Sequence, residues 1–311
     1  MKIILLKLLL FAIIIASMVT GLILSSDYMI NKRKDYFLKT RPDTFFVFAG
    51  NSTVECAVDD RLIGHSVNIA QAGEAYLYSY AKIKALLENN ENIRTVFISY
   101  SYADLLIEKE ETWLYSDYFM VEKVQYYNYI LGRPEKCFLV KSNPDAYFRG
   151  VVKSIVKSCE TVLKSFGTTG QTNSIPNYGG YKRLERDKLD IDPGNVPGEE
   201  EIVLQSVHQI RYLKIISDLC HQSSVNLVLF NPPKHKSYNE NVSPGVKQLW
   251  LEVRQSLSTD SLLDLSGFQM PDSCYGDLSH VNFRGARLFS RHLNEILNPE
   301  SAGKSGSALE N

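Results

Sequence analysis

The chain lacks the sequence signals of most metal and nucleotide sites. Its 311 residues contain no C-x-x-C, G-x-G-x-x-G, P-loop or H-E-x-x-H motif, and its five cysteines lie far apart. A zinc site is therefore not expected, and no particular disulfide is inferred. The formal net charge is only -1, which argues against nucleic acid as a partner. What remains is a chain with 44% hydrophobic residues, enough for one full-sized core.

One long apolar run is present at the N-terminus. Only Lys7 interrupts the run from Ile3 to Leu24, which would reach about 33 Å as a helix, enough to cross a bilayer. The run is longer than the apolar region of a signal peptide and has no clear A-x-A cleavage site. We therefore expect residues 1–25 to form an uncleaved transmembrane anchor. Its orientation stays open, because long domains translocate largely regardless of flanking charges.

Beyond a polar stalk over residues 26–43, apolar runs alternate with amphipathic segments. Three short runs predict buried strands, at Thr44–Gly50, His65–Ala70 and Ile93–Tyr100. A helical pattern over Glu74–Asn90 joins the last two. Strand, helix and strand with short joints predict a parallel sheet.

The second half of the chain returns to the same alternation. Two more strands and three helices are predicted, in the order helix Glu199–Gln222, strand Val225–Pro233, helix Val246–Leu257, strand Ser261–Ser266 and helix Asn282–Leu297. Residues 101 to about 199 are less regular and predict an insertion over one edge of the sheet. Residues 298–311 are small and polar and predict a disordered tail.

A polar segment follows the first predicted strand. "FVFAGNST" runs from Phe46 to Thr53, with Gly50, Asn51 and Ser52 where the strand ends. One interpretation is an ordinary turn. The other is a nucleophile at the carboxyl edge of a parallel sheet, where open α/β sheets place ligand loops. A serine hydroxyl is a weak nucleophile at neutral pH, so the second interpretation requires a base.

A candidate base lies just before the last predicted helix. In "DLSHVNFRGA", Asp277 and His280 are three residues apart in a loop. A carboxylate placed there can accept the Nδ1 proton of the histidine, which leaves Nε2 free as a base. Taken alone, the pair is better explained as a turn cap and a surface histidine. Together with Ser52, it predicts a serine nucleophile with its histidine and aspartate.

These segments resemble the SGNH (GDSL-type) hydrolase superfamily, in which a serine follows the first strand and Asp-x-x-His precedes the final helix. "FAGNST" resembles the first block, with Asn51 where aspartate is usual, and "DLSHVNFRGA" resembles the last. "NIAQAG" resembles the second block, whose glycine donates an oxyanion-hole amide; that role falls on Gly73, beside the amide of Ser52. The resemblance implies a flavodoxin-like three-layer α/β/α sandwich of the SGNH hydrolase type over residues 44–297.

The third block of that superfamily is where this sequence departs. The superfamily has G-x-N-D after the third strand, with the asparagine donating to the oxyanion, and this chain has "SYSYAD" over Ser99–Asp104. Ser101 falls near the asparagine position, but a hydroxyl is a shorter donor. Losing one oxyanion donor costs roughly 2.7–4 kcal/mol of transition-state stabilisation. Either another group replaces it or the reaction is slow.

Three further side chains are candidates for substrate binding. Asn51 sets the loop of Ser52, and Asn68 could brace the loop that carries Gly73. His235, in "FNPPKHKSY" at a strand end, could contact an anionic substrate, although a solvated surface loop is the simpler explanation.

The resemblance extends to membrane-anchored members that act on cell-envelope polymers. It implies a single-pass inner-membrane protein with a periplasmic serine esterase or O-acyltransferase domain. The substrate would be an acyl ester, most simply acetyl, of an envelope polysaccharide, and no metal or organic cofactor is needed. The alternative is a non-catalytic glycan-binding or assembly protein that partners a membrane-bound acyltransferase. The missing asparagine favours that alternative, whereas the intact Ser52, Asp277 and His280 disfavour it.

Overall fold

A computed structural model shows an α/β domain built on a five-stranded parallel sheet. It describes residues 3–15, 17–18, 20–21, 39–167, 178–186, 188–190, 203–257 and 261–300. The strands are β1 (Phe46–Ala49), β2 (Ser66–Asn68), β3 (Thr95–Ser99), β4 (Asn226–Asn231) and β5 (Leu262–Asp264). Their order across the sheet is β2-β1-β3-β4-β5, and all neighbouring pairs are parallel. The predicted parallel sheet is confirmed.

Helices connect the strands. In chain order they are α1 (Ser52–Ala57), α2 (Tyr76–Leu87), α3 (Ile107–Glu110), α4 (Asp117–Tyr127), α5 (Arg133–Ser142), α6 (Pro144–Gly167), α7 (Val207–Gln222), α8 (Lys236–Asn241), α9 (Pro244–Gln255) and α10 (Phe283–Leu297). Short 3-10 turns occupy Asp60–Leu62, Tyr102–Leu105 and Asp272–Cys274, and a π-helical turn occupies Glu111–Tyr115.

The sheet is buried on both faces, as its continuous apolar strands require. Because successive strand residues point to opposite faces, Val47 and Val96 enter one core and Phe48 and Phe97 enter the other. Side chains of α2, α7 and α9 complete the first core, and those of α1 and α10 complete the second. In the second core the rings of Phe48 and Phe97 stack with centroids 4.7 Å apart. Helices therefore cover both faces of the sheet.

The N-terminal anchor predicted over residues 1–25 lies only partly within the described residues. Residues 3–15 are helical, and their apolar side chains are exposed. Among the helices that the structure describes, none is both long enough and apolar enough to cross a bilayer. The expected membrane-spanning helix is thus not supported by this part of the chain. Most of the predicted stalk and tail, residues 26–38 and 301–311, lie outside the described residues.

The predicted insertion contains several helices over residues 101–167, and its described residues 178–186 and 188–190 are not helical. Helices α3 to α6 lie between β3 and α7, and α4 packs along α6. Phe119 of α4 lies against Gly73, where an added Cβ would meet its ring within 1.9 Å. The insertion therefore covers the loop that follows β2. Helix α7 begins later than predicted, because the Ser206 hydroxyl caps it by accepting from the amide of Gln209 at 2.9 Å.

Two neighbouring residues of α10 allow a direct test of this core. Phe289 is fully buried between Phe230 and Phe268, whereas Leu288 is 48% exposed. We expect Phe289→Ala to lower the free energy of unfolding by about 3–5 kcal/mol, because it opens a cavity in the core. Leu288→Ala on the same helix should cost much less. Denaturant unfolding of the full chain in detergent measures both, and equal losses would contradict this placement of α10.

Candidate active site

The candidate site forms where the strand order changes direction. The chain passes from β1 to β2 on one side and from β2 to β3 on the other, so the loops after β1 and β3 diverge and leave a crevice. Gly50 ends β1 with φ +126, and a Cβ there would lie 2.3 Å from the Ser99 Cβ. Only glycine fits this turn against β3. The turn places Asn51 and Ser52 at the carboxyl edge of the sheet.

Ser52, His280 and Asp277 form a continuous chain of hydrogen bonds. The Ser52 Oγ lies 2.8 Å from the His280 Nε2, and the His280 Nδ1 lies 2.9 and 3.1 Å from the two carboxylate oxygens of Asp277. Ser52 is half-buried at the start of α1, and His280 stands two residues before the cap of α10. The two loops that the sequence singled out, 228 positions apart, therefore meet at one point.

The environment of Asp277 indicates which ring nitrogen of His280 carries the proton. Burial would raise the pKa of the Asp277 carboxyl, but hydrogen bonding and charge attraction from His280, with help from Ser279, lower it to about 2. The amides of Ser279 and His280 both donate to its Oδ1 at 2.9 Å. An ionised carboxylate only accepts, so we infer that Nδ1 carries the proton. Nε2 is then free to accept the proton of Ser52.

A buried carboxylate braces the loop of Ser52 from the other side. Asp104, 2% exposed, accepts from the Asn51 Nδ2 at 2.7 Å, from the Ser99 Oγ at 2.8 Å and from the Ser101 amide at 2.9 Å. Asn51 in turn accepts from the Thr53 amide at 2.9 Å and so caps α1. No sequence pattern singled out Asp104, since a Ser-x-x-Asp string is an ordinary capping pattern.

Of the expected oxyanion donors Ser101 and Gly73, only Ser101 lines the cleft that contains Ser52. Ser101 lines the same cleft as Ser52 and His280. Its amide already serves Asp104, which leaves its hydroxyl as the donor available to a substrate. Gly73 has φ +60 and lies under Phe119, and it is not among the residues that line this cleft. The structure thus brings Ser101 to Ser52 and does not bring Gly73 to the cleft wall.

The three predicted substrate-binding residues are buried and mainly serve the protein itself. Asn51 contacts Asp104 and Thr53, although it also borders the cleft. Asn68 donates to the Val58 carbonyl at 2.7 Å and accepts from the Ala70 amide at 2.9 Å, so it braces the β2 loop as expected.

His235 is neither on a solvated surface nor in the cleft. It is 6% exposed, caps α8 and packs edge-on against Tyr275. The side chain that reaches the cleft is that of the preceding residue, Lys234.

The cleft around Ser52 is small, with a volume of about 90 Å³. It is lined by Asn51, Ser52, Thr53, Ser101, Ala103, Asp104, Lys109, Trp113, Lys234, Tyr238, Ser279 and His280. Trp113 and Lys234 carried little signal in the sequence. Their positions, in the insertion and just after a strand end, are the only hints that could have found them.

A second, larger cleft also borders α1. Its volume is about 410 Å³, and its walls include Glu55 and the rings of Tyr118, Phe119 and Tyr181. Burial raises the pKa of Glu55, which Lys182 and Lys123 partly offset. The Glu55 carboxylate accepts from the Ala72 amide at 3.1 Å. Ser52 and Glu55 are three residues apart and so are neighbours on α1, and one residue borders each cleft.

No group of three or more histidine, cysteine or acidic side chains within the described part of the chain is arranged to hold a metal ion. Of the five cysteines, Cys56, Cys137, Cys220 and Cys274 are free thiols.

Comparison with known proteins identifies one partial match. A family model of unknown function matches residues 199–301, about a third of the chain. The matched region runs from before α7 to beyond α10 and includes Lys234, Asp277 and His280, but not Ser52. Among curated proteins, no significant match was found.

The role of Asp104 can be tested by removing one charge-assisted acceptor. In Asp104→Asn, an amide oxygen replaces only one of the two acceptor oxygens. The NH2 group replaces the other and faces an N–H donor there, either the Asn51 Nδ2 or the Ser101 amide. We expect a loss of about 1–3 kcal/mol in unfolding free energy. Asp145→Asn is the control, because that side chain is 78% exposed in a surface ion pair with Arg149. Thermal unfolding measures both, and a harmless Asp104→Asn would rule out the brace.

Proposed function

We propose that this chain is a serine esterase or O-acyltransferase of the SGNH hydrolase type, acting through an acyl-Ser52 intermediate. The observation that carries the proposal is the hydrogen-bonded series from Ser52 through His280 to Asp277, with Ser52 Oγ and His280 Nε2 2.8 Å apart. A nucleophile in reach of a base, and that base oriented by a third group, is the arrangement that acyl transfer requires.

The reaction follows from the protonation states of the three groups. Ser52 Oγ attacks the carbonyl carbon of an ester while its proton passes to His280 Nε2, and the carbonyl oxygen becomes an oxyanion. The bond to the leaving oxygen then breaks, and His280 returns the proton to that oxygen. A water molecule or a sugar hydroxyl next attacks the carbonyl carbon of acyl-Ser52 and gives its proton to His280 Nε2. The bond between that carbon and Ser52 Oγ then breaks, and His280 returns the proton to Ser52 Oγ. Water yields hydrolysis and a sugar hydroxyl yields transfer.

The fold supports the same assignment. The strand order β2-β1-β3-β4-β5 is that of flavodoxin-like sheets, and such sheets bind ligands outside the carboxyl ends of their strands. Helices lie on both faces, as a three-layer α/β/α sandwich requires. The residues after β1 and before α10 occupy the positions in which the SGNH resemblance implies a serine and an Asp-x-x-His.

The two clefts suit the substrate that the resemblance implies. A space of about 90 Å³ beside Ser52 accommodates a short acyl group such as acetyl. The walls of the larger cleft include the rings of Tyr118 and Tyr181, and aromatic rings in such a wall give a sugar ring an apolar surface to pack against. An acyl ester of a cell-envelope polysaccharide would place its acyl group in the first cleft and its sugar toward the second.

A second function keeps the fold without the chemistry. In this alternative the domain binds a glycan, or assembles with a membrane-bound acyltransferase, and catalyses no reaction itself. The position of Gly73 under Phe119, together with serine in place of the third-block asparagine, favours this alternative. Both features concern the oxyanion, so the two functions differ in whether Ser52 becomes acylated.

Covalent labelling separates these functions. We expect a fluorophosphonate probe to label wild-type Ser52, and Ser52→Ala to abolish labelling and p-nitrophenyl acetate turnover with its fold intact. His280→Ala should lose comparably much, because residues that act as a unit are non-additive. Asp277→Asn should lose less, since the Gly276 amide, which donates to the His280 carbonyl at 2.9 Å, still holds the backbone of the histidine. If wild type and Ser52→Ala behave alike in both assays and in glycan acylation in cells, the binding function replaces this one.

The proposed location is the inner membrane, with the domain in the periplasm. This proposal depends on the apolar run at residues 3–24 and on an envelope substrate. We expect a reporter that is active only outside the cytoplasm to be active when fused after Asn311. A reporter active only in the cytoplasm at the same junction serves as the control. Activity of the second fusion alone would reverse the location and remove envelope glycan as the substrate.

A further inference from the structure

The cleft beside Ser52 contains a buried cation that the proposed acyl transfer has not yet used. Lys234 follows β4 after two prolines and is only 1% exposed. Its Nζ donates to the carbonyl oxygen of Ser279 at 3.0 Å, and it faces the Tyr238 ring at 5.4 Å. It lines the same cleft as Ser52 and His280.

The hydrogen-bonding capacity of this ammonium exceeds what its described surroundings use. An ammonium group has three donors, and the contact to Ser279 uses one of them. Within the described residues, no carboxylate forms an ion pair with Lys234. Its strongest attractions are to Asp104 and Asp277, whose oxygens already accept from other groups. A buried cation without an ion pair is costly, so its retention requires a reason other than stability.

The reacting ester would supply the missing partner. The cleft holds only about 90 Å³, so a carbonyl group in contact with Ser52 also lies against the wall that Lys234 forms. The charge that develops on the carbonyl oxygen needs a donor there. Ser101 has only its hydroxyl to offer, and Gly73 lies outside the cleft wall.

We propose that Lys234 is a catalytic residue that replaces the missing oxyanion donor: its ammonium stabilises the negative charge formed on the carbonyl oxygen when Ser52 attacks. This inference rests on the proposed acyl transfer. Fixed positive charge in a water-poor cleft stabilises such an oxyanion strongly, because the charge need not reorganise during the reaction.

The charge on Lys234 depends on pH within an accessible range. Burial lowers the pKa of Lys234 to about 8, although attraction to the carboxylates of Asp104, Asp277 and Asp264 opposes this effect. Lys234 is therefore cationic below about pH 8 and neutral above it. If its charge stabilises the oxyanion, acylation of Ser52 must slow as the pH rises through about 8.

A purely structural role for Lys234 makes a different prediction. Through the carbonyl of Ser279, the side chain could simply position His280. A neutral amine still has N–H groups to donate to that carbonyl, so positioning would survive deprotonation. The alkaline decline near pH 8 thus distinguishes charge stabilisation from positioning.

The test measures the rate of fluorophosphonate labelling of the full chain in detergent from pH 6 to pH 10. In this reaction Ser52 Oγ forms a bond to phosphorus, fluoride leaves, His280 takes the proton, and the phosphoryl oxygen occupies the oxyanion position. We expect the wild-type rate to decline above about pH 8. Lys234→Met should label about 10²–10³-fold more slowly at pH 7 and lose the alkaline decline.

Two controls make the result specific. Lys236→Met removes an exposed lysine from the same segment and should keep both the rate and the profile. Lys123→Met removes a lysine whose pKa burial also lowers to about 8, but which donates to Gln71 and Ala72 beside the other cleft. It should keep the alkaline decline. Thermal unfolding shows whether each variant is folded.

The outcomes separate this inference from the function on which it rests. An unlabelled wild type refutes the proposed acyl transfer itself. A labelled wild type together with a folded Lys234→Met that has the wild-type rate and profile overturns the role of Lys234 alone. If Lys234→Met does not fold, Lys234→Arg takes its place: its guanidinium stays charged from pH 6 to pH 10, so it should label without the alkaline decline, and a decline that persists in it overturns the inference.

Discussion

The carboxylate of Asp104 holds together the two loops on which the candidate site depends. One of its oxygens accepts from Asn51 beside the nucleophile, and the other accepts from Ser99 and Ser101 at the end of β3. Parallel strands alone would leave these loops free to separate, because the sheet ladder ends where they begin. The buried carboxylate extends the contact between β1 and β3 past the last backbone pair. Ser52 therefore starts α1 in one defined place.

Charge is concentrated at this edge to an extent that stability alone does not explain. Asp104, Asp277 and Lys234 are all buried or nearly so. Among the described residues, Asp277 forms ion pairs with His280 and Arg186, whereas Asp104 and Lys234 form none. The two carboxylates are stabilised by several donors each, whereas the lysine has fewer partners than donors. Such an arrangement favours an incoming group that carries or develops negative charge. This electrostatic asymmetry is common to the proposed acyl transfer and to the role inferred for Lys234.

The helical segment between β3 and α7 determines part of the wall of the candidate site. Phe119 lies over Gly73 and Trp113 enters the Ser52 cleft, so both contributions come from the same insertion. Phe119 covers Gly73, which is therefore not part of the cleft wall, and Trp113 narrows the cleft. A second cleft opens between α4 and the segment around Gly179 and Tyr181. The insertion therefore determines which donors and how much space a substrate meets.

Much of the fold could be predicted because buried parallel strands are short apolar runs with polar ends. All five strands lie within the predicted runs, and β1 falls within Thr44–Gly50. The pairing of Ser52 with Asp277 and His280 could also be predicted. The segment with Ser52 contains a nucleophile without a base, and the segment with Asp277 and His280 contains a base without a nucleophile. Each segment therefore supplies the group that the other lacks.

What the sequence determined by itself was therefore the sheet, the order of its elements and the three residues of the candidate nucleophilic series. Only the tertiary structure decided that Lys234 rather than His235 enters the cleft, because adjacent residues point in different directions and the sequence does not show which direction faces the site. Only the tertiary structure decided that Asp104 is a brace and that Gly73 is covered. Those outcomes depend on contacts between segments far apart in the chain, such as Asn51 with Asp104 and Gly73 with Phe119, and local patterns carry no information about such contacts.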